Sequence, residues 1–316
     1  MHILFITAKH IGDTVLSTSI LEHMHKKYPH AQVTVVCGER PAPILQAPYI
    51  KNVIPIKKRS YRFHWFDIWQ SCYKKKWDII VDLRGSFLSY FLYTKKRLIW
   101  KPQNSSKHKL EQLASFMETT SLPLPKIYPS KEAQKKADFF LQGLKNPVVL
   151  GATASWHAKR WENHKFSLLV QYLKKNVFKN NSFVVLGASG DENFANELCN
   201  IVPKDLIVPI VGKMDLLTTA AFLKKSRIFI GNDSGLMHIS AAVGIPTLGL
   251  FGPSRESVYS PVGKYTHWVR TDKSYEDLIE NSSYDWKNPD NMMKTLSVEK
   301  VIEAIDILEE KVKNNA

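Results

Sequence analysis

Short apolar runs alternate with helical patterns along all 316 residues of the chain. In the first half these runs are continuously apolar, which is typical of strands buried on both faces of a parallel sheet. They cover residues 3–7, 32–37, 52–56 and 78–82. Residues 14–27 carry Val15, Leu16, Ile20, Leu21 and Met24 at helical spacing. The pattern predicts strands alternating with covering helices.

The second half repeats this alternation. Predicted strands cover residues 147–151, 183–187, 207–211, 227–231 and 247–251, and predicted helices cover 164–176, 191–201, 216–224, 236–243 and 297–312. We therefore expect an α/β protein of two Rossmann-like, doubly wound parallel-sheet domains. The predicted domains are residues 1–146 and 147–316, divided after a polar helix at 130–144. Ligands of such sheets bind beyond the carboxyl ends of the strands, so we expect the domains to face a common cleft.

Positive charge is concentrated in the first half. Residues 1–150 hold 24 Lys+Arg against 10 Asp+Glu, whereas the rest holds 20 against 19, so the net charge of +15 divides into +14 and +1. A local field of this sign favours encounter with anionic partners. Nucleic acid, anionic lipid and a phosphorylated saccharide all qualify.

The remaining composition predicts a cytoplasmic protein. Three widely spaced cysteines make no disulfide or metal pattern, and neither an export signal nor a stretch of about 20 apolar residues is visible. Two basic runs, 74–77 and 93–97, suggest peripheral contact with anionic lipid.

The segment from Gly231 to His238 predicts a strand, a polar turn and a helix of small residues. Free N–H groups at the start of such a helix, aided by its dipole, form a ready site for phosphate. Asp233, Ser234 and His238 add polar side chains to this turn. Two alternatives stay open: Asp233 or Ser234 caps the helix, and His238 is a packing histidine.

The turn after the first strand places Gly12 and Asp13 at the mouth of a helix. Asp13 is either an N-cap or a reactive carboxylate facing the cleft. The turn is not a G-x-G-x-x-G motif, which argues against a nicotinamide cofactor. P-loop, hydrolase-elbow and paired metal-ligand patterns are also missing, so we expect no cofactor and no metal.

Two further turns of the second half carry polar groups. Thr153, Ser155 and Lys159 follow a predicted strand, where hydroxyls and cations suit a diphosphate; a solvated basic loop is the alternative. Asp191 and Glu192 stand where a nucleotide-binding domain contacts a ribose, and a helix N-cap explains Asp191 equally well.

A basic loop interleaved with aromatic residues lies at 57–65. Its cations Lys57, Lys58, Arg59 and Arg62 suit phosphate or a carboxylated sugar, or single-stranded nucleic acid bound by stacking. An ordinary exposed loop is the alternative.

Together these turns resemble glycosyltransferase family 9, the bacterial lipopolysaccharide heptosyltransferases, over nearly the whole chain. The matching motifs are Ile11-Gly12-Asp13-Thr14-Val15 with Tyr28-Pro29-His30-Ala31, then Ala158-Lys159-Arg160-Trp161, then Asn232 to His238 with Gly252-Pro253-Ser254. The resemblance implies the GT-B fold, an ADP-heptose donor bound by the C-terminal domain, and an inner-core acceptor of Kdo or heptose on lipid A bound by the N-terminal domain. The charge division agrees with such an anionic acceptor. The resemblance also implies peripheral contact with the cytoplasmic face of the inner membrane.

The resemblance also implies roles for single residues. Asp13 would be the general base of an inverting transfer, and Lys159 would stabilise the departing diphosphate in place of a metal. Donor binding would involve Thr153, Ser155, Asp191, Glu192, Asp233, Ser234, Gly235, Leu236 and His238, with Asp233 contacting the heptose. Acceptor binding would involve Lys57, Lys58, Arg59, Arg62 and Arg84. The chain departs from the family in Trp161-Glu162, where proline commonly follows the tryptophan.

Two other functions compete with this one. A related GT-B transferase using another nucleotide sugar has the same motifs, since none of them reads the sugar ring. A basic nucleic-acid-binding protein is disfavoured, because the second half is neutral and shows no nucleic-acid module.

Overall fold

The computed structural model describes residues 1–57, 64–101, 105–203, 205–280 and 291–315, with the side chain of residue 64 excepted. The chain divides into two compact units, Met1–Pro129 and Ser130–Ala316. Each unit is built around its own parallel sheet.

The sheet of the first unit has the order β3-β2-β1-β4-β5 among the described residues. Its strands are parallel throughout and have the following bounds: β1 His2–Ile6, β2 Gln32–Gly38, β3 Ile50–Ile56, β4 Trp77–Asp82 and β5 Thr94–Ile99. The first four were predicted to within two residues. The lysine-rich edge strand β5 was not predicted, because an edge strand need not be apolar on both faces.

Three helices of the first unit cover this sheet: α1 Ile11–Lys27, α2 His64–Cys72 and α3 Lys109–Phe116. Helix α1 is buried over most of its length despite its hydroxyl side chains. Ser17 and Thr18 donate to the carbonyls of Thr14 and Val15, so the buried hydroxyls are satisfied within the helix.

The sheet of the second unit has the order β11-β10-β9-β6-β7-β8, also with every described pairing parallel. Its strands are β6 Val148–Gly151, β7 Phe183–Gly187, β8 Ile207–Val211, β9 Ile228–Asn232, β10 Thr247–Phe251 and β11 Thr266–Arg270. Counted from β6, this is the strand order of a doubly wound nucleotide-binding domain. The edge strand β11 was not predicted.

The helices of the second unit are α4 Lys131–Leu141, α5 Asn163–Asn176, α6 Glu192–Ile201, α7 Leu216–Lys224, α8 Gly235–Ala242, α9 Glu256–Tyr259 and α10 Val298–Lys313. Helix α4 packs on α7 and belongs to this unit. The division of the chain therefore comes before α4, whereas the sequence-based boundary comes after it.

Glycines bring the central strands of the second sheet close together. Gly151 and Gly231 are paired in register on β6 and β9. A Cβ on Gly231 would come within 2.6 Å of the Gly151 backbone. Only glycine therefore fits this position at the carboxyl ends of the two strands that carry the candidate site.

Within the described ranges, no helix is both long and apolar enough to cross a bilayer.

Candidate active site

The strand order of the second unit reverses between β6 and β9. Strand β6 pairs with β7 on one side and with β9 on the other, so the helices that follow β6 and β9 leave on opposite faces. A crevice forms at such a point, outside the carboxyl ends of the strands. The loops after β6 and β9 carry Lys159 and Asp233, respectively.

Asn232 joins these two loops. It is the last residue of β9, and its side chain is fully buried. Its Nδ2 donates to the carbonyl of Ala152 at 2.6 Å, and its Oδ1 accepts the backbone N–H of Trp161 at 3.0 Å. Both ends of the loop containing Lys159 are therefore tied to the end of β9.

Trp161 fixes the far end of the same loop in the core. Its indole is buried, donates to the carbonyl of Leu296 at 2.9 Å, and packs edge-on against Phe166 with ring centroids 4.8 Å apart. Glu162, which stands where the family commonly has proline, is the residue before helix α5 and forms an ion pair with Lys165 at 2.8 Å.

Lys159 ends a short 3-10 turn, His157–Lys159, and reaches Asp233. Its Nζ lies 2.5 Å from Asp233 Oδ2, with the side chains 23% and 7% exposed. The other oxygen, Oδ1, lies 3.9 Å from His238 Nε2. The ammonium group is thus held by a carboxylate at the crevice, while part of it stays accessible to an incoming anion.

Helix α8 begins at Gly235, two residues after Asp233. Ser234 occupies its N-cap position, but the hydroxyl makes no cap hydrogen bond. The first backbone bond of the helix runs from His238 N to the Ser234 carbonyl, so the amides of Gly235 and Leu236 are donors that the helix leaves unused. The capping alternative therefore holds only for the position: Ser234 is the N-cap residue, but its side chain makes no cap hydrogen bond.

Two buried hydroxyls lie in the loops after β9 and β10. Neither Ser234 Oγ nor Ser254 Oγ has a hydrogen-bond partner among the described residues. Buried hydroxyls usually find a partner, so both are available to a ligand with acceptor oxygens.

The other predicted donor residues have different surroundings. Thr153 is buried after β6, and Ser155 is exposed. Asp191 precedes α6 without capping it through its side chain; its carboxylate contacts Arg160 at 3.3 Å and the Ala188 amide. Glu192 is exposed and accepts from the Gly190 amide at 2.7 Å. Asp191 is thus bound to the loop of Lys159; it also holds the N-cap position of α6, although its side chain makes no cap hydrogen bond.

The first unit has its own reversal of strand order, between β1 and β4. Asp13 lies in the first turn of α1, which follows β1, whereas His10 holds the N-cap position. The N-cap alternative for Asp13 is therefore wrong. Burial lowers the pKa of Lys109, and the negative charge of Asp13 opposes that shift, so the two groups lie close enough to interact.

Arg84 follows β4 in a turn held by Asp82. The buried Asp82 carboxylate accepts the amides of Arg84 and Ser86 and the Ser86 hydroxyl, at 2.7–2.9 Å. The guanidinium of Arg84 lies 5.0 Å from the centroid of the Trp65 ring. Lys57 is exposed directly after β3, and the predicted acceptor residues Lys58, Arg59 and Arg62 lie outside the described residues.

Sequence reasoning assigned no role to Asn232, and it counted Arg160 only among the adjacent cations that suit a diphosphate. Asn232 is a polar residue at the end of an otherwise apolar strand, which was a usable signal. Arg160 donates to the Ala154 carbonyl at 2.8 Å, and its guanidinium lies 4.8 Å from the centroid of the Phe194 ring. Arg160 therefore stabilises the loop that contains Lys159 through a hydrogen bond within that loop. In the part of the chain that the structure describes, no three His, Cys, Asp or Glu side chains form a group able to hold a metal.

The comparisons with known proteins agree with this geometry. Residues 95–285 match the family model of glycosyltransferase family 9 (heptosyltransferase). The lipooligosaccharide heptosyltransferase 2 of Haemophilus ducreyi is 25% identical over 312 residues, covering 85% of this chain and 88% of the relative.

Two solved structures share the fold. A family 9 glycosyl transferase from Veillonella parvula has a TM-score of 0.82 at 22% identity, covering 97% of this chain and 96% of the other. The ADP-heptose LPS heptosyltransferase II of E. coli has a TM-score of 0.78 at 18% identity, covering all of both chains. The predicted GT-B fold and the resemblance drawn from the motifs are confirmed. The chain belongs to glycosyltransferase family 9, the heptosyltransferase family.

Proposed function

We propose that this protein is an inverting, metal-independent transferase that moves heptose from ADP-heptose to the lipopolysaccharide inner core, onto Kdo or heptose carried by lipid A. The observation that carries the proposal is the pairing of Lys159 with Asp233 beside the start of α8. The donor and the class of acceptor are taken from the relatives, an ADP-heptose LPS heptosyltransferase of E. coli and a lipooligosaccharide heptosyltransferase of Haemophilus ducreyi.

In this proposal the second domain binds the donor. The amides at the start of α8 and the hydroxyls of Ser234 and Ser254 hold the diphosphate. Lys159 exchanges part of its contact with Asp233 for the phosphate oxygens as negative charge develops on the departing ADP. The Asp233 carboxylate, released from that contact, is then free to bind a heptose hydroxyl. Thr153 and Ser155 assist from the loop after β6, and His238 orients Asp233.

The first domain binds the acceptor and supplies the base. Asp13 removes the proton of the acceptor hydroxyl as that oxygen attacks the anomeric carbon, and the bond to ADP breaks on the opposite side. Arg84, Lys57 and the neighbouring Lys58, Arg59 and Arg62 contact the phosphates and carboxylates of the inner core. We place the enzyme in the cytoplasm, at the inner leaflet that carries such an acceptor.

Calorimetric titration of the purified chain tests the donor assignment. ADP-heptose should bind, whereas UDP-GlcNAc and GDP-mannose, which differ from it in base and sugar, should bind at least about tenfold more weakly. Lys159→Ala should weaken ADP-heptose binding, and Lys213→Ala, an exposed lysine of the same unit, should not. Binding and transfer that survive metal chelation would support metal independence. Preference for a UDP or GDP sugar would instead favour a related transferase.

A further inference from the structure

An exposed aromatic surface on the first unit has no role in the proposed chemistry. It consists of Phe66 on α2 together with Phe87, Tyr90, Phe91 and Tyr93, in and just after the 3-10 helix Phe87–Phe91. All five side chains are exposed, Phe87 by 81% and Phe91 by 71%. Contiguous apolar patches of this kind on soluble proteins mark interaction sites.

The aromatic surface is held in a defined conformation. Trp69 of α2 donates its indole N–H to the Phe91 carbonyl at 3.1 Å. Arg97 of β5 donates to the carbonyls of Ser89 and Leu92 at 2.8 and 3.0 Å. The exposed rings therefore stand on a turn that is bonded on both sides. Between α2 and this turn lies a cavity of about 640 Å³, lined by Trp65, Phe66, Trp69, Gly85, Ser86, Phe87, Leu88 and Phe91.

Cations lie beside the part of the aromatic surface formed by Tyr90 and Tyr93. Residues 64–101 contain eight Lys+Arg and three Asp+Glu. Lys74, Lys75, Lys76, Lys95 and Lys96 are exposed. Lys76 Nζ lies 6.0 Å from the Tyr93 ring and the Arg97 guanidinium 5.6 Å from the Tyr90 ring, so two of the exposed rings carry a positive group against them.

This combination selects between two occupants. A second copy of the chain docked through the same surface would bring lysine clusters against lysine clusters, which opposes association. An anionic bilayer satisfies both features, because aromatic rings partition into the interface between headgroups and acyl chains while lysines contact the anionic headgroups.

We propose that the aromatic surface docks on an anionic lipid bilayer, with Phe87 and Phe91 entering the interface and the lysines of residues 74–76 and 95–96 contacting the headgroups. The inference rests on the proposed function in one respect, since a lipid-borne acceptor requires the enzyme at a bilayer. Arg84, an acceptor-binding candidate, directly precedes the cavity residues Gly85 and Ser86, so an acceptor anchored in the same bilayer would present its sugars beside this surface.

Sedimentation with phosphatidylglycerol–phosphatidylcholine vesicles tests the proposal, using the whole chain without donor or acceptor. We expect the wild type to bind these vesicles, to bind phosphatidylcholine alone much less, and to be released by salt. The double variant Phe87→Ser, Phe91→Ser should bind the anionic vesicles at least about tenfold more weakly than the wild type. It lacks the two aromatic side chains whose transfer from water into the bilayer interface favours binding. Phe139→Ser, which removes a phenylalanine 68% exposed in the second unit, should bind like the wild type.

Three results would overturn the proposal: equal binding by the double variant and the wild type, no binding by the wild type, or a wild-type dimer that the double variant dissociates. Circular dichroism of the variants verifies that they are folded. Because the vesicles contain neither substrate, a wild type that binds ADP-heptose but not the vesicles would reject the membrane surface and leave the proposed function standing. A wild type that binds the vesicles but not ADP-heptose would reject the proposed function and leave the membrane surface standing.

Discussion

At the scale of single residues, Asn232 fixes the loop that positions Lys159. Its amide is the one group that contacts both ends of the loop from Ala152 to Trp161 among the described residues. The residue takes no direct part in the proposed chemistry, so we regard it as a positioning residue. Its partners are 80 and 71 positions away in sequence, which is why the local motif did not reveal its function.

Replacing Asn232 with alanine should leave a buried carbonyl and a buried amide unpaired. We expect a loss of about 2–5 kcal/mol in the free energy of unfolding, measured by urea denaturation. Transfer by the folded fraction should also fall, since Lys159 is no longer held at the diphosphate, while the KM for the acceptor stays unchanged.

Leu308→Ala is a matched control for this effect. Leu308 is fully buried on α10, and its truncation should cost about 2–5 kcal/mol without removing a hydrogen bond of the loop. This variant should keep the wild-type kcat per folded molecule. If Asn232→Ala and Leu308→Ala lose stability equally and both keep kcat, the positioning role is wrong and Asn232 is purely structural.

At the scale of elements, two helices with serine at the N-cap position behave differently. Ser297 accepts the Lys300 amide and caps α10, whereas the Ser234 hydroxyl makes no cap bond at α8. A helix start without a side-chain cap keeps its amides available, which is what an anion site requires.

Ser297→Ala should therefore lower the free energy of unfolding by about 1 kcal/mol and leave ADP-heptose affinity unchanged. Ser234→Ala should do the reverse: little change in stability but weaker donor binding. Thermal unfolding and calorimetry on the two variants measure both quantities. Equal stability losses with unchanged donor affinity would show that Ser234 is an ordinary cap.

The elements also show what the sequence could predict. Strands β7, β8 and β10 and helix α7 begin and end at the predicted residues, because each strand is bounded by turn residues and α7 begins at a capping aspartate, Asp215. The edge strands β5 and β11 escaped prediction, since a strand paired on one side tolerates polar residues that mask the apolar signal.

The same distinction holds for the site. Lys159, Asp233 and Ser234 belong to short motifs, so their location at the ends of β6 and β9 was predictable from sequence. Other features of the protein depend on contacts between remote segments, which no local sequence pattern reveals. They are the ion pair between Lys159 and Asp233, the two hydrogen bonds of the Asn232 amide, and the exposure of Phe87 and Phe91.

At the scale of the whole molecule, the proposed reaction needs a group from each unit. Asp13 belongs to the first unit and Lys159 to the second. The charge division points the same way, since the first 150 residues carry nearly all of the net positive charge and the proposed acceptor is anionic. A donor site alone would explain ADP-heptose binding but not transfer.

Transfer of heptose from ADP-heptose to defined truncated cores, followed by mass spectrometry of the acceptor, tests the central claim most directly. The wild type should add heptose, and Asp13→Asn should slow transfer by about 10²–10⁴-fold while binding the donor normally, because it removes only the base. Glu111→Gln, which neutralises another first-turn acid of the same unit, should transfer like the wild type. An unmodified acceptor with the wild type, or undiminished transfer by Asp13→Asn, would contradict the account.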